Sequence, residues 1–184
     1  MPAWLTKVEE WAYTQFRRLA DYFFPACGDL GADLEAIRDQ LLADMEKQRA
    51  DREKWDRRFL GLARHVAGWS KDPSTQVGAV LVDDKRRVVG LGYNGFARGV
   101  GDGEDRYADR DTKYKLVVHA EANALLFSLQ GAEGTTAYTW PFPPCSTCAA
   151  LLIQKGVRRV VCPPLPESLR ERWGADVAWS VAQF

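Results

Sequence analysis

Apolar residues recur along the first fifty positions at helical spacing. Trp4, Val8, Trp11, Phe16, Leu19 and Phe23 lie three to five apart, which predicts an amphipathic helix stopped at Pro25-Ala26-Cys27-Gly28. Asp33 follows as a candidate N-cap. Leu34, Ile37, Leu41, Leu42 and Met45 then form one apolar stripe, while residues 46–54 are almost wholly polar. This pattern predicts a helical hairpin over residues 1–54, set ahead of a core domain over residues 55–184.

The core pattern opens with another helix, residues 55–69, whose apolar side carries Phe59, Leu60, Leu62, Ala63, Val66 and Ala67. Ser70-Lys71-Asp72-Pro73-Ser74 ends it, because a residue before proline disfavours the helical region. Apolar runs at 77–82 and 87–93, separated by Asp83-Asp84-Lys85-Arg86, predict two strands joined as a hairpin. Residues 97–115 are polar and rich in Gly and Asp, which predicts a long loop. Further on, the pattern predicts helices at 119–129 and 145–154, strands at 135–140 and 157–162, and a last helix at 166–181 interrupted by Gly174. Helices alternating with strands imply an α/β fold: a three-layer α/β/α sandwich with a mixed sheet.

Composition narrows the chemistry. With 184 residues, 46% hydrophobic and 27% charged, the chain fits one compact domain with a modest addition, and disordered or collagen-like classes are excluded. Lys+Arg 25 against Asp+Glu 25 gives zero net charge, which argues against a grip on a polynucleotide backbone and for a small substrate. Charges at Lys7, Glu9, Glu10, Arg17 and Arg18 interrupt any apolar signal segment, and no stretch reaches the roughly 18 apolar residues of a membrane span. The expectation is a cytoplasmic chain without a membrane partner, in which a close cysteine pair signals metal or redox chemistry.

That pair is Cys145 and Cys148, in Pro144-Cys145-Ser146-Thr147-Cys148, and it goes with His119-Ala120-Glu121. Each segment sits where a loop or strand feeds the start of a helix. His119 then falls in the first turn of one helix, while Cys145 and Cys148 lie one turn apart on the other. One imidazole and two thiolates form an accepted ligand set for catalytic zinc, which leaves a fourth position to water. Helix N-termini aimed at the site favour the thiolates. Glu121 is not needed as a ligand and is placed for general acid/base work, typically worth about 10² to 10⁴ in rate. H-x-E followed by P-C-x-x-C is the signature of zinc nucleobase deaminases. His65, Cys27 and Cys162 have no such setting and read as packing residues.

From about Phe59 to about Cys162 the chain resembles the cytidine and deoxycytidylate deaminase superfamily. Ser70-Lys71-Asp72-Pro73-Ser74-Thr75-Gln76-Val77-Gly78-Ala79, Gly92-Tyr93-Asn94-Gly95 and Asp111-Thr112-Lys113-Tyr114 are similar to its deoxycytidylate branch. The resemblance implies a cytidine-deaminase-like fold and hydrolytic deamination of dCMP to dUMP and ammonia, a step feeding thymidylate synthesis. It implies Zn2+ held by His119, Cys145 and Cys148, with Glu121 catalytic. On the substrate side it implies Asn94, Gly95 and Ala120, with Lys71 and Arg98 as phosphate candidates beside Arg110, Lys113 and Lys115. Trp140-Pro141-Phe142 is a candidate wall for the base. A homo-oligomer and a deoxynucleoside triphosphate effector, acting at the 97–115 loop, are further implications. Some members carry an arginine late in the helix after H-x-E, near the phosphate, and this chain has Gln130 there. That departure keeps a second substrate class open, a small aminated base, nucleoside or modified nucleotide. A polynucleotide-editing deaminase and an inactive binding module are the remaining alternatives.

Overall fold

The computed structural model describes residue 11, residues 13–19, residue 22 and residues 30–184. The breaker expected at 25–28 and much of the first expected helix lie outside the described residues. The chain divides into two compact units, Met1–Glu53 and Lys54–Phe184.

In the first unit, residues 13–19 are helical, Arg17 pairs with Glu35, and the Arg38 guanidinium sits 4.9 Å from the centre of the Tyr13 ring. Helix α1, Leu30–Ala67, runs for 38 residues, the last 14 of them in the second unit. Two separate helices were expected over this stretch. The polar segment 46–54 holds no Gly or Pro, is made largely of strong helix formers, and contains an Arg49–Glu53 pair one turn apart, so nothing in it stops the helix.

In the second unit, β1 (Gly78–Val82) and β2 (Val88–Tyr93) are followed by the short strand β3 (Gly95–Phe96). Two short helices, α2 (Glu104–Ala108) and α3 (Arg110–Leu116), occupy the expected loop, and β4 (Val117–Val118) leads into α4 (Ala120–Leu126). After these come β5 (Thr136–Trp140), α5 (Ser146–Gln154), β6 (Arg159–Val161) and α6 (Glu167–Ala182). The main sheet has the order β2-β1-β5-β6, and β3 pairs with β4 in a separate two-stranded sheet. Strand β1 is antiparallel to both neighbours, while β5 and β6 are parallel and joined through α5. Among the described residues this sheet has no fifth strand.

The fold is the expected α/β sandwich. Alternate residues of β1 feed two cores, which is why the strand reads as an unbroken apolar run. Ala79 and Leu81 join Ala120 and Ala124 of α4 and Leu152 of α5 on one face. Val80 and Val82 join Tyr138 and the α1 residues Phe59, Ala63 and Val66 on the other. On the first face α4 lies flush against β2: a Cβ on Gly92 would stand 2.4 Å from the Ala124 nitrogen and 2.5 Å from the Ala120 oxygen. Only glycine permits that approach, and it fixes where α4 begins.

The two unexpected short helices are held by a local cap and by contacts to other segments of the chain. Asp109 caps α3 by accepting from the Asp111 N–H, and Tyr107 stacks on Phe96 with centroids 4.4 Å apart. Helix α6 continues through Gly174, where an interruption was expected, since a single glycine costs about 1 kcal/mol of helix propensity without breaking the ladder. Among the described residues no helix is long and apolar enough to cross a membrane.

Candidate active site

His119 and Cys145 are the N-caps of α4 and α5, both in extended backbone. An N-cap side chain turns back over the first helical turn, and the Cys145 sulfur accepts there from the Cys148 N–H at 3.4 Å. His119 Nδ1 lies 3.4 Å from the Cys145 Sγ and 3.4 Å from the Cys148 Sγ. The three donor atoms all lie within 4.8 Å of one another. Zinc–sulfur and zinc–nitrogen bonds of about 2.3 Å and 2.0–2.1 Å in tetrahedral arrangement put neighbouring donors about 3.6 Å apart. The donor set and its spacing therefore fit zinc.

The thiols are unequal. The hydrogen bond from Cys148, followed by the nearby imidazole, brings Cys145 down to about 4 against the opposing effect of burial. The same bond, together with burial and the Glu121 carboxyl, pushes Cys148 up. The hydrogen bond to Cys145 raises His119, and Glu121 and Asp176 add to that rise. Glu121, in the first turn of α4, is only 4% exposed, and burial raises its carboxyl above the ordinary range.

His119, Cys145 and Glu121 open onto a cavity of about 550 Å³, a size suited to a small molecule. His119, Ala120, Glu121 and Cys145 line one part of it, and Asp72, Ser74, Thr75, Val77 and Asn94 line another. Asn94 ties the end of β2 to the 70–77 segment. Its Oδ1 accepts from the Val77 N–H at 2.8 Å, and its Nδ2 donates to the Thr75 carbonyl at 2.8 Å and to the Asp72 carboxylate at 3.3 Å. Asp72, 1% exposed, also receives the Ser74 and Thr75 N–H groups and the Lys113 ammonium, the last at 2.7 Å. Burial pushes this carboxyl up, but Lys113 and the backbone donors outweigh it and hold it below the usual carboxylate range.

The structure brings some sequence-predicted residues to the cavity and leaves others outside its lining. Asn94, Ala120, Arg110, Lys113 and Phe142 line it. Lys71 instead bonds Asp102 at 2.6 Å, Arg98 lies over the Phe127 ring at 5.6 Å, and Gly95 pairs with Val118. Lys115, Trp140 and Gln130 are not part of the lining either. The wall that sequence reasoning missed comes from α6: Leu169, Arg172, Trp173, Asp176 and Val177. Asp176 accepts from both the Ser146 N–H, at 3.0 Å, and the Ser146 hydroxyl, so α6 braces the turn that carries Cys145. The available signal was their offsets of three, four, seven and eight from Leu169, one face of a helix.

Comparison with known proteins agrees with this geometry. The model of the cytidine and deoxycytidylate deaminase zinc-binding region matches residues 53–163. A deaminase of Aliivibrio fischeri, described as uncharacterized and lying in the luxG 3' region, is 44% identical over 131 residues, 71% of this chain and 87% of that protein. The deoxycytidylate deaminase of Homo sapiens is 40% identical over 121 residues, 62% of this chain and 67% of that protein. The dCMP deaminase of cyanophage S-TIM5, solved with dCMP and dUMP, superposes with a TM-score of 0.54 at 21% identity, over 69% of this chain and 90% of that one, a likeness of fold. A His-Cys-Cys donor set spaced for zinc, a buried glutamate two residues after the histidine, and a family match across both motifs agree: the chain belongs to the cytidine and deoxycytidylate deaminase family, whose cofactor is zinc.

Proposed function

We propose that this chain is a zinc-dependent deoxycytidylate deaminase, which converts dCMP and water into dUMP and ammonia. The observation that carries the reading is the buried Glu121 facing the same cavity as His119 and Cys145, two of the three clustered donors. The 40% identity to the human deoxycytidylate deaminase supports dCMP as the substrate.

His119, Cys145 and Cys148 hold the zinc. When bound, zinc supplies a Lewis-acid position that lowers the pKa of water to about 7. Glu121 takes a proton from the water that adds at the pyrimidine C4 and delivers it to the departing amino nitrogen. Its burial keeps solvent from competing for that proton. Asn94 and the Ala120 backbone wall the nucleotide, and Phe142 gives the base an apolar side. Residues 55–184 form the deaminase domain in this reading, and residues 1–54 an added helical extension. The same reading makes the enzyme a cytoplasmic homo-oligomer with a deoxynucleoside triphosphate effector, testable by light scattering with and without such nucleotides.

The deciding experiment measures ammonia release and product identity with dCMP, deoxycytidine, cytidine and dCTP on protein of known zinc content. Selective formation of dUMP from dCMP is expected. Turnover of none of the four overturns the reading.

A further inference from the structure

Three basic side chains line the cavity, Arg110 and Lys113 from α3 and Arg172 from α6. Their surroundings differ. The Lys113 ammonium lies 2.7 Å from the Asp72 carboxylate, contacts the Ser74 hydroxyl, and is only 13% exposed. Its charge is neutralised by a buried partner. Neither Arg110 nor Arg172 has a carboxylate at ion-pairing distance among the described residues.

Both arginines are held on one aromatic surface instead. The Arg110 Cζ lies 5.4 Å from the centre of the Tyr114 ring, and the Arg172 Cζ lies 5.7 Å from the same ring and 5.0 Å from Trp173. The two rings meet edge-on with centroids 6.5 Å apart. A guanidinium over a ring face still has N–H donors for an acceptor, so both remain available to an anion. Two positive charges on one ring also repel, and an anion between or beside them relieves that repulsion.

The acids of the cavity do not fill this role. Asp72 is engaged by Lys113 and its backbone donors, Asp176 by the Ser146 N–H and hydroxyl, and Glu121 is buried beside the metal ligands. The wall formed by α3 and α6 therefore carries positive charge without a protein counterion. It belongs to the cavity that His119 and Cys145 also line. Gln130, expected late in α4, lies beyond the end of that helix at Leu126, is exposed and stands outside the lining.

We propose that Arg110 and Arg172 form the anion-binding end of this cavity and make the enzyme select a phosphorylated substrate over its nucleoside. The inference rests on the deaminase reading above and deepens it. Tyr114, whose ring lies under both guanidinium groups, is the positioning residue.

The test uses zinc-loaded full-length protein carrying Arg110→Gln, Arg172→Gln, both together, and Arg172→Lys. The first readout is the ratio of kcat/KM for dCMP to that for deoxycytidine. Each Gln variant is expected to lower the ratio about tenfold and the pair about 100-fold, through KM for dCMP, with Arg172→Lys recovering part of the loss because it keeps the charge but not the fork. A double variant whose ratio stays within twofold of wild type overturns the proposal, whether or not both activities fall. The second readout is calorimetric binding of inorganic phosphate, which needs no turnover: loss in the double variant is expected, and unchanged affinity overturns the proposal. A wild-type enzyme that converts deoxycytidine but not dCMP overturns the phosphate selection and keeps the deaminase. If wild type converts no aminated pyrimidine, the deaminase reading fails, and the phosphate readout alone decides the arginines.

Discussion

At the metal corner of the cavity, the reactive side chains come from two short stretches, 119–121 and 145–148, each about one helical turn or less. At the Asp72 rim, the polar groups come from residues 70–77, Asn94 and Lys113, and their bonds span as many as 41 positions. The corner leaves its donor atoms clustered without a carboxylate among them, set for a metal. The rim consumes its polar groups in bonds to one another. Removing a donor at the corner therefore first removes the ion, and only at the buried Cys148 does it also touch the core. At the rim the same kind of change strips a buried partner, and the cost falls on the fold.

That contrast is open to breakage, first at the corner. Cys148→Ala is expected to abolish stoichiometric zinc after dialysis against a chelator, measured by elemental analysis, because two donors do not hold the ion. Full zinc retention would remove the corner's defining property. Glu121→Ala is expected to keep zinc and lower turnover by about 10² to 10⁴, read as kcat at equal metal content. A variant that lost its zinc would show Glu121 to be a ligand.

At the rim, Asp72→Ala is expected to lower unfolding stability by about 3–5 kcal/mol, since it leaves the Lys113 ammonium largely buried and unpaired. Urea unfolding of zinc-loaded protein measures this, and a loss below about 1 kcal/mol would make the rim no different from the corner. The sign with pH follows from the depressed Asp72 carboxyl. Its contribution is present above the unfolded-state value near 3.9 and is lost as pH falls through the lower folded-state value, so wild type and Asp72→Asn should converge in stability in strong acid. The smallest effect is expected between the two regions. Asp176→Ala removes the carboxylate that holds the Ser146 N–H and hydroxyl, and should weaken zinc about 10- to 100-fold in chelator competition while leaving the fold intact.

The same contrast decides what was legible in the sequence. His119, Glu121, Cys145 and Cys148 were readable because their geometry is set within a turn of helix. Asn94 was readable as a turn residue on the substrate side, but its bonds to Val77, Thr75 and Asp72 exist only once distant segments meet. Helices α2 and α3 were hidden in a polar stretch because helices this short are sustained by tertiary contacts such as Lys113 to Asp72 rather than by propensity. The join of two expected helices into α1 was legible in principle, since 46–54 lacks any breaker. Arg172 and Asp176 carried no motif, and only their shared helix face connected them to the cavity.

The contact of α4 on β2 also bears on how this enzyme can be altered. Replacing strand glycines with alanine is a common route to thermostability, because it narrows the unfolded ensemble. Here the gap at Gly92 is the spacing against which the His119 end of α4 is set, and a single methyl group would meet backbone at 2.4 Å. In a saturation screen scored on turnover, Gly92 is expected to rank with the metal ligands in intolerance. A stabilisation campaign guided by surface and strand statistics would therefore do well to treat Gly92 as part of the reaction machinery, at a position that lines no part of the cavity.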